Sequence, residues 1–219
     1  MKCVARASIA AVVLAATGAA HAVVLTSNFG PGDTYRPSIG ETLSFGGPLG
    51  GDAYEHAVPF TVSGGDFTLD SAEVAVFHFW GPDLVFADIR SDAGGAPGGI
   101  LESTAAHGVS TPGEIEPPMV LPFSGTLLLQ DGQTYWLALR TDRTDAHLAW
   151  ALNDIDDFGP RAWRVNEGVW NPAVGVPGTD SQRAVHRINA TPVPAPGAMA
   201  AALVAGSFMA ARRRRTGQN

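Results

Sequence analysis

Along the middle of the chain the apolar residues come in short blocks or alternate with polar ones, and glycine or proline breaks the pattern at short intervals. No stretch carries the three-to-four-residue apolar spacing of an amphipathic helix, so the chain reads as strands joined by turns. Ala57 to Val62, Phe67 to Phe79, Leu84 to Arg90, Ile100 to Thr104, Gly125 to Gln130, Thr134 to Thr141, His147 to Leu152, Arg161 to Val165 and Arg183 to Asn189 are the expected strands. Phe67 to Phe79 reads as one interior strand: Ala72, Val74, Val76 and His78 point one way, and Glu73, Ala75, Phe77 and Phe79 the other. The fold class this predicts is all-β, a single two-sheet β-sandwich of jelly-roll type. Thr26 to Glu55, rich in glycine and proline, reads as an irregular leader or a pair of weak edge strands.

Both ends depart from this pattern. Lys2 and Arg6 precede an apolar run from Ala7 to Ala16, and Ala20-His21-Ala22 supplies an A-x-A site, the composition of a secretory signal peptide cut before Val23. Cys3, the single cysteine, leaves with that segment, so the mature protein has no disulfide and no thiolate chemistry. At the other end come a proline hinge, a small-residue apolar run from Ala198 to Ala211 and the cluster Arg212, Arg213, Arg214 and Arg215. The run predicts a short apolar helix, below the roughly 20 residues that span a bilayer core unaided, and suits transient insertion with the arginines on the cytoplasmic side. The expected organisation is a signal peptide over 1–22, a β-sandwich domain over 23–190 and a sorting or anchor segment over 191–219.

Pro-x-Pro, apolar stretch and arginine cluster, in that order, resemble the PEP-CTERM sorting signal. Val193, Pro194, Pro196 and Gly197 occupy the hinge, with Ala195 where that family usually has glutamate. The resemblance implies export past a signal peptidase and handling by an exosortase-like sorting enzyme, in a Gram-negative bacterium that makes extracellular polysaccharide. The expected location is the cell surface or the extracellular space, with membrane contact through the tail.

Charge narrows the partners. From Val23 to Ala190 there are eight arginines, no lysine and all 21 acidic residues, a net charge of −13. That field repels phosphate backbones, so no nucleic-acid partner is expected. Within the domain, Asp88 to Leu101 with its Gly94-Gly95-Ala96-Pro97-Gly98-Gly99 turn, Phe123 to Leu129, and Gly132-Gln133-Thr134-Tyr135-Trp136-Leu137 resemble the choice-of-anchor R domain. The resemblance implies a β-sandwich of no established activity. The glycines and Pro97 independently favour a hairpin between the flanking strands.

Candidate chemistry is sparse. His56, His78, His107, His147 and His186 form no H-x-H or H-x-x-x-H pair, and there is no nucleophile elbow or phosphate loop. No catalytic residue is assigned, and the chain is read as a non-enzyme. Asn153-Asp154-Ile155-Asp156-Asp157 packs oxygen ligands closely enough to make Asp154, Asp156 and Asp157 a candidate calcium site, without EF-hand spacing, and no other cofactor is expected. Trp136 and Trp150 sit in apolar strands and read as core, whereas Trp163 and Trp170 flank Arg164, Asn166 and Glu167 and are the candidate ligand-binding residues. The functional expectation is a non-enzymatic structural or adhesive surface protein. One alternative is a carbohydrate-binding module acting on extracellular polysaccharide, which requires Trp163 or Trp170 to stand exposed beside polar donors. The other is a secreted hydrolase, which requires two carboxylates in one groove.

Overall fold

The computed structural model describes residues 21–37, 39–45, 51–82, 84–106, 117–141, 145–174 and 182–194. The chain divides into one compact unit over His21–Pro192 and a second made of Met1–Ala20 with Val193–Asn219. Residues 1–20 of the expected signal peptide, the apolar run over 198–211, and Pro196, Gly197 and Arg212 to Arg215 lie outside the described residues, as does His107.

The described residues are all β. In chain order the strands are β1 (Val23–Ser27), β2 (Gly40–Phe45), β3 (Asp52–Thr61), β4 (Phe67–Val74), β5 (Val76–Trp80), β6 (Val85–Asp92), β7 (Pro97–Ala106), β8 (Met119–Pro122), β9 (Leu128–Leu129), β10 (Thr134–Arg140), β11 (His147–Ala151), β12 (Pro160–Val165), β13 (Asn171–Val174) and β14 (His186–Pro192). They form two sheets. The smaller runs β1-β14-β4, with β8 and β9 both pairing along the remaining edge of β4. The larger runs β5-β11-β2-β3-β10-β6-β7, and β12 pairs β3 and carries β13.

Alternation places one face of each strand in the core. Val58 and Phe60 of β3, Ile89 of β6, Leu137 and Leu139 of β10, and Leu148 and Trp150 of β11 meet Leu69 and Val74 of β4, Leu121 of β8 and Ile188 of β14 in one buried cluster. Each such leucine contributes about 2 kcal/mol relative to leaving it in water.

The expected hairpin is present: β6 pairs β7 antiparallel, Gly94 and Gly95 take positive φ, and the Ala93 N–H donates to the Ala96 carbonyl at 2.8 Å. Phe67 to Phe79, expected as a single strand, changes sheet at Ala75. β4 belongs to the small sheet and β5 pairs β11 at the edge of the large one. Val74 and Val76 both reach the inter-sheet core, so an unbroken alternation hides the crossover. The 26–55 stretch, expected as leader or weak edges, instead supplies the end of β1, the whole of β2 and the start of β3, and β2 lies inside the large sheet between β11 and β3. Gly40 permits this, because a Cβ there would lie 2.6 Å from the Trp150 carbonyl oxygen. β8 and β13 were not expected, and Gly125 to Gln130 contracts to the two residues of β9.

Candidate functional site

The pair β3 and β12 builds two chemically different faces. Its antiparallel register sets Trp163 opposite His56, Val165 opposite Tyr54, Arg164 opposite Glu55 and Ala162 opposite Ala57. Period-two alternation therefore sends Tyr54, His56, Arg161 and Trp163 to one side and Glu55, Ala57, Ala162 and Arg164 to the other.

On the first side lies a groove of about 450 Å³ lined by Gly40, Glu41, Thr42, Tyr54, His56, Arg161 and Trp163. Trp163 is 38% exposed, whereas Trp136 and Trp150 are sealed. The Tyr54 ring stacks on the His56 ring at 6.4 Å between centroids. Arg161 Nη1 contacts Glu41 Oε1 directly, and its Nε is buried without an acceptor among the described residues. His56 Nε2 lies 2.9 Å from the Thr42 carbonyl oxygen, which can only accept, so Nε2 carries the proton. Nδ1, 3.4 Å from Glu41 Oε2, is then a bare lone pair at neutral pH. Burial pushes the His56 pKa down to about 4 despite the Thr42 bond, so the pair becomes ionic only in acid. Burial also lowers the Arg161 pKa, without discharging a guanidinium at physiological pH.

On the opposite side a charged cluster is buried against the outer face of the large sheet. Arg90 Nη2 reaches Asp88 at 3.2 Å and Glu55 at 3.3 Å, Arg140 Nε reaches Asp88 at 3.1 Å, and Arg164 Nη2 reaches Glu55 at 2.6 Å. Trp170 roofs it, with the Arg164 and Arg90 guanidinium carbons 4.8 Å and 5.4 Å from its ring centroid. Beneath Trp170 lie Ala57, Trp136, Ala138 and Ala162. The loop carrying Trp170 is anchored by Asn166, whose Nδ2 donates to Asp52 and whose Oδ1 accepts from the Ala53 N–H. Trp163 and Trp170, paired as candidates in the sequence, thus stand on opposite faces of one sheet. Trp136, read as core, is buried in this outer layer, with Nε1 donating to Asp92 at 2.8 Å.

The acidic loop has a different internal order. Asn153 is fully buried and accepts from the Ile155 and Asp157 N–H groups while donating to the Asp157 and Arg183 carbonyls. Asp157 receives Arg183 and Asn28, and Asp156 receives Gln182. A Cβ on Gly30 would come 2.3 Å from an Asp154 carboxylate oxygen, so Asp154 turns toward the 30–34 turn. Among the described residues no three of His, Asp and Glu converge as metal ligands would.

His78 and His186 bond to backbone carbonyls, at Gly81 and Ala184 respectively. Val193 and Pro194 of the hinge follow β14. Sequence reasoning missed Glu41 and Tyr54 as companions of Trp163, because both lie in the stretch read as an irregular leader or weak edge strands, and it left His56 without a partner. Their apolar-polar spacing, Glu41 before the buried Leu43 and His56 before Val58, is the signal that was present. No protein-family model matches the chain, and no curated protein sequence matches it.

Proposed function

We propose that this chain is an exported bacterial surface protein, non-enzymatic and adhesive, whose β-sandwich of jelly-roll type holds extracellular polysaccharide in the Trp163 groove. The observation that carries the reading is the groove itself: a half-exposed tryptophan beside a tyrosine, with a carboxylate, a guanidinium and an imidazole within one volume of about 450 Å³. Aromatic faces stack on the C–H faces of pyranose rings, and flanking polar groups fix hydroxyls. Among the described residues lining it, Glu41 is the single carboxylate, where glycoside hydrolysis ordinarily uses a pair, so binding is preferred to glycoside cleavage. Export and sorting through a PEP-CTERM-type tail rest on the residues of the two termini, and the surface or extracellular location follows from them.

Intact mass of the protein recovered from host surface and medium tests the sorting half. Loss of about the last 25 residues, abolished when Arg212 to Arg215 are replaced by Ala, is the expected outcome; a full-length tail in the membrane fraction points to an uncut anchor. Retention of the protein on polysaccharide extracted from the host, lost in Trp163→Ala, tests the binding half. Equal retention of that variant would remove the groove from the function.

A further inference from the structure

We infer that the groove takes an uncharged saccharide, gripped through adjacent hydroxyls shared between Glu41 and Arg161; this rests on the polysaccharide-binding reading above. The groove carries one positive charge on Arg161, one negative charge on Glu41 and a neutral His56, so it offers no net charge to complement an acidic or basic sugar. Outside it, the domain field of −13 works against a polyanion before contact.

The hydrogen-bond inventory specifies the ligand further. Glu41 Oε2 receives no donor among the described residues, because the nitrogen facing it at 3.4 Å is the unprotonated one of His56. Arg161 is the mirror image. Of its five N–H donors, the described residues supply one acceptor, Glu41, and its Nε has none. One unused acceptor and several unused donors sit side by side next to the exposed Trp163 ring. A hydroxyl both donates and accepts, so two neighbouring hydroxyls of a sugar ring satisfy both groups at once while the ring's C–H face lies on Trp163. A carboxylated sugar could satisfy Arg161 but would set two carboxylates against each other at Glu41.

Affinity electrophoresis of the full chain through gels containing dextran, laminarin or galactomannan, and in parallel alginate or polygalacturonate, tests this. At least one neutral polymer should retard the protein, the acidic polymers should not, and the retardation should persist at about 1 M salt, where the screening length is ~3 Å. Glu41→Gln should weaken it by about tenfold or more, the scale of a lost charge-assisted hydrogen bond, and the exposed Trp163→Ala should abolish it with the melting temperature held. Retardation by the acidic polymers alone overturns this inference and leaves the polysaccharide reading standing. Neutral binding indifferent to both variants overturns it by placing the site elsewhere, and no retardation by any polymer overturns both readings.

Discussion

Arg90 and Asp88 stand two residues apart on β6, on the face turned away from the inter-sheet core, and their side chains meet at 3.2 Å beneath Trp170. Strand alternation puts like-facing residues at this spacing, so the pair follows from the extended conformation of β6. Asp88 is fully buried and also takes Arg140 and the Ser103 hydroxyl. Removing it leaves Arg90, with 6% of its side chain exposed, with Glu55 as its one carboxylate beside the Gly98 carbonyl, whereas Arg140, at 28%, can turn toward water. Asp88→Ala should therefore cost about 3–5 kcal/mol in denaturant unfolding, the usual loss when one member of a buried pair is removed. Arg140→Ala should cost distinctly less, and equal losses would contradict the asymmetry.

The two tryptophans proposed from sequence separate by role. Trp170 covers two guanidinium groups and the small residues Ala57, Ala138 and Ala162, so Trp170→Ala should lower stability by about 2–4 kcal/mol from lost packing and cation–π contact. Trp163→Ala opens a groove that solvent already reaches and should change stability by about 1 kcal/mol or less while removing polysaccharide retention. Thermal unfolding of both variants beside the binding assay reads the two effects apart.

What the sequence disclosed follows from period-two patterning. β6, β7, β10, β11 and β12 are alternating runs or short apolar blocks bounded by turn residues and lie near their expected bounds, and the Gly94-Gly95 turn marked its hairpin. Two kinds of information were not local. Alternation through Val74 and Val76 is the same whether the chain stays in one sheet or crosses at Ala75, since both sheets face one core. β2 is short and follows a glycine- and proline-rich stretch, and its place between β11 and β3 depends on Gly40 fitting against the Trp150 carbonyl, a contact between residues distant in sequence. The groove inherits that blind spot: Trp163 was legible from its polar neighbours, while Glu41 and His56 join it only once β2 and β12 both reach β3.

Asn153 organises the acidic loop from its centre. Its side chain makes four hydrogen bonds to backbone groups while fully buried, and Asn153→Ala would strand several of them. The expected cost is about 2–3 kcal/mol, read as a lower denaturant midpoint. Because Asp157 and Asp156 are already held by Arg183 and Gln182, adding calcium should leave the melting temperature of the native protein unchanged. A rise that saturates with calcium would show that the ion displaces Arg183.

Stability should fall on mild acidification, and the responsible side chains can be named. Burial holds His56 and His186 near pKa 4 in the folded chain, against about 6.5 when unfolded. His56 faces Glu41, and His186 lies near Arg183 and Asp157. A base whose pKa is lowered by folding binds its proton more readily when unfolded. Its neutral form therefore favours the native state fully above pH 6.5, and that advantage is lost as pH falls toward 4. Each histidine should remove about 1.4 kcal/mol per pH unit across this window, roughly 3 kcal/mol in all for each. Burial lowers the His147 pKa as well, which adds a loss of the same sign. Guanidinium unfolding at intervals between pH 7 and pH 4 measures the slope. A His186→Asn variant should start less stable and show a shallower decline, because its Nδ2 can keep the Ala184 carbonyl while having nothing to titrate. An unchanged slope in that variant would remove His186 from the account and leave the acid sensitivity to His56 and His147.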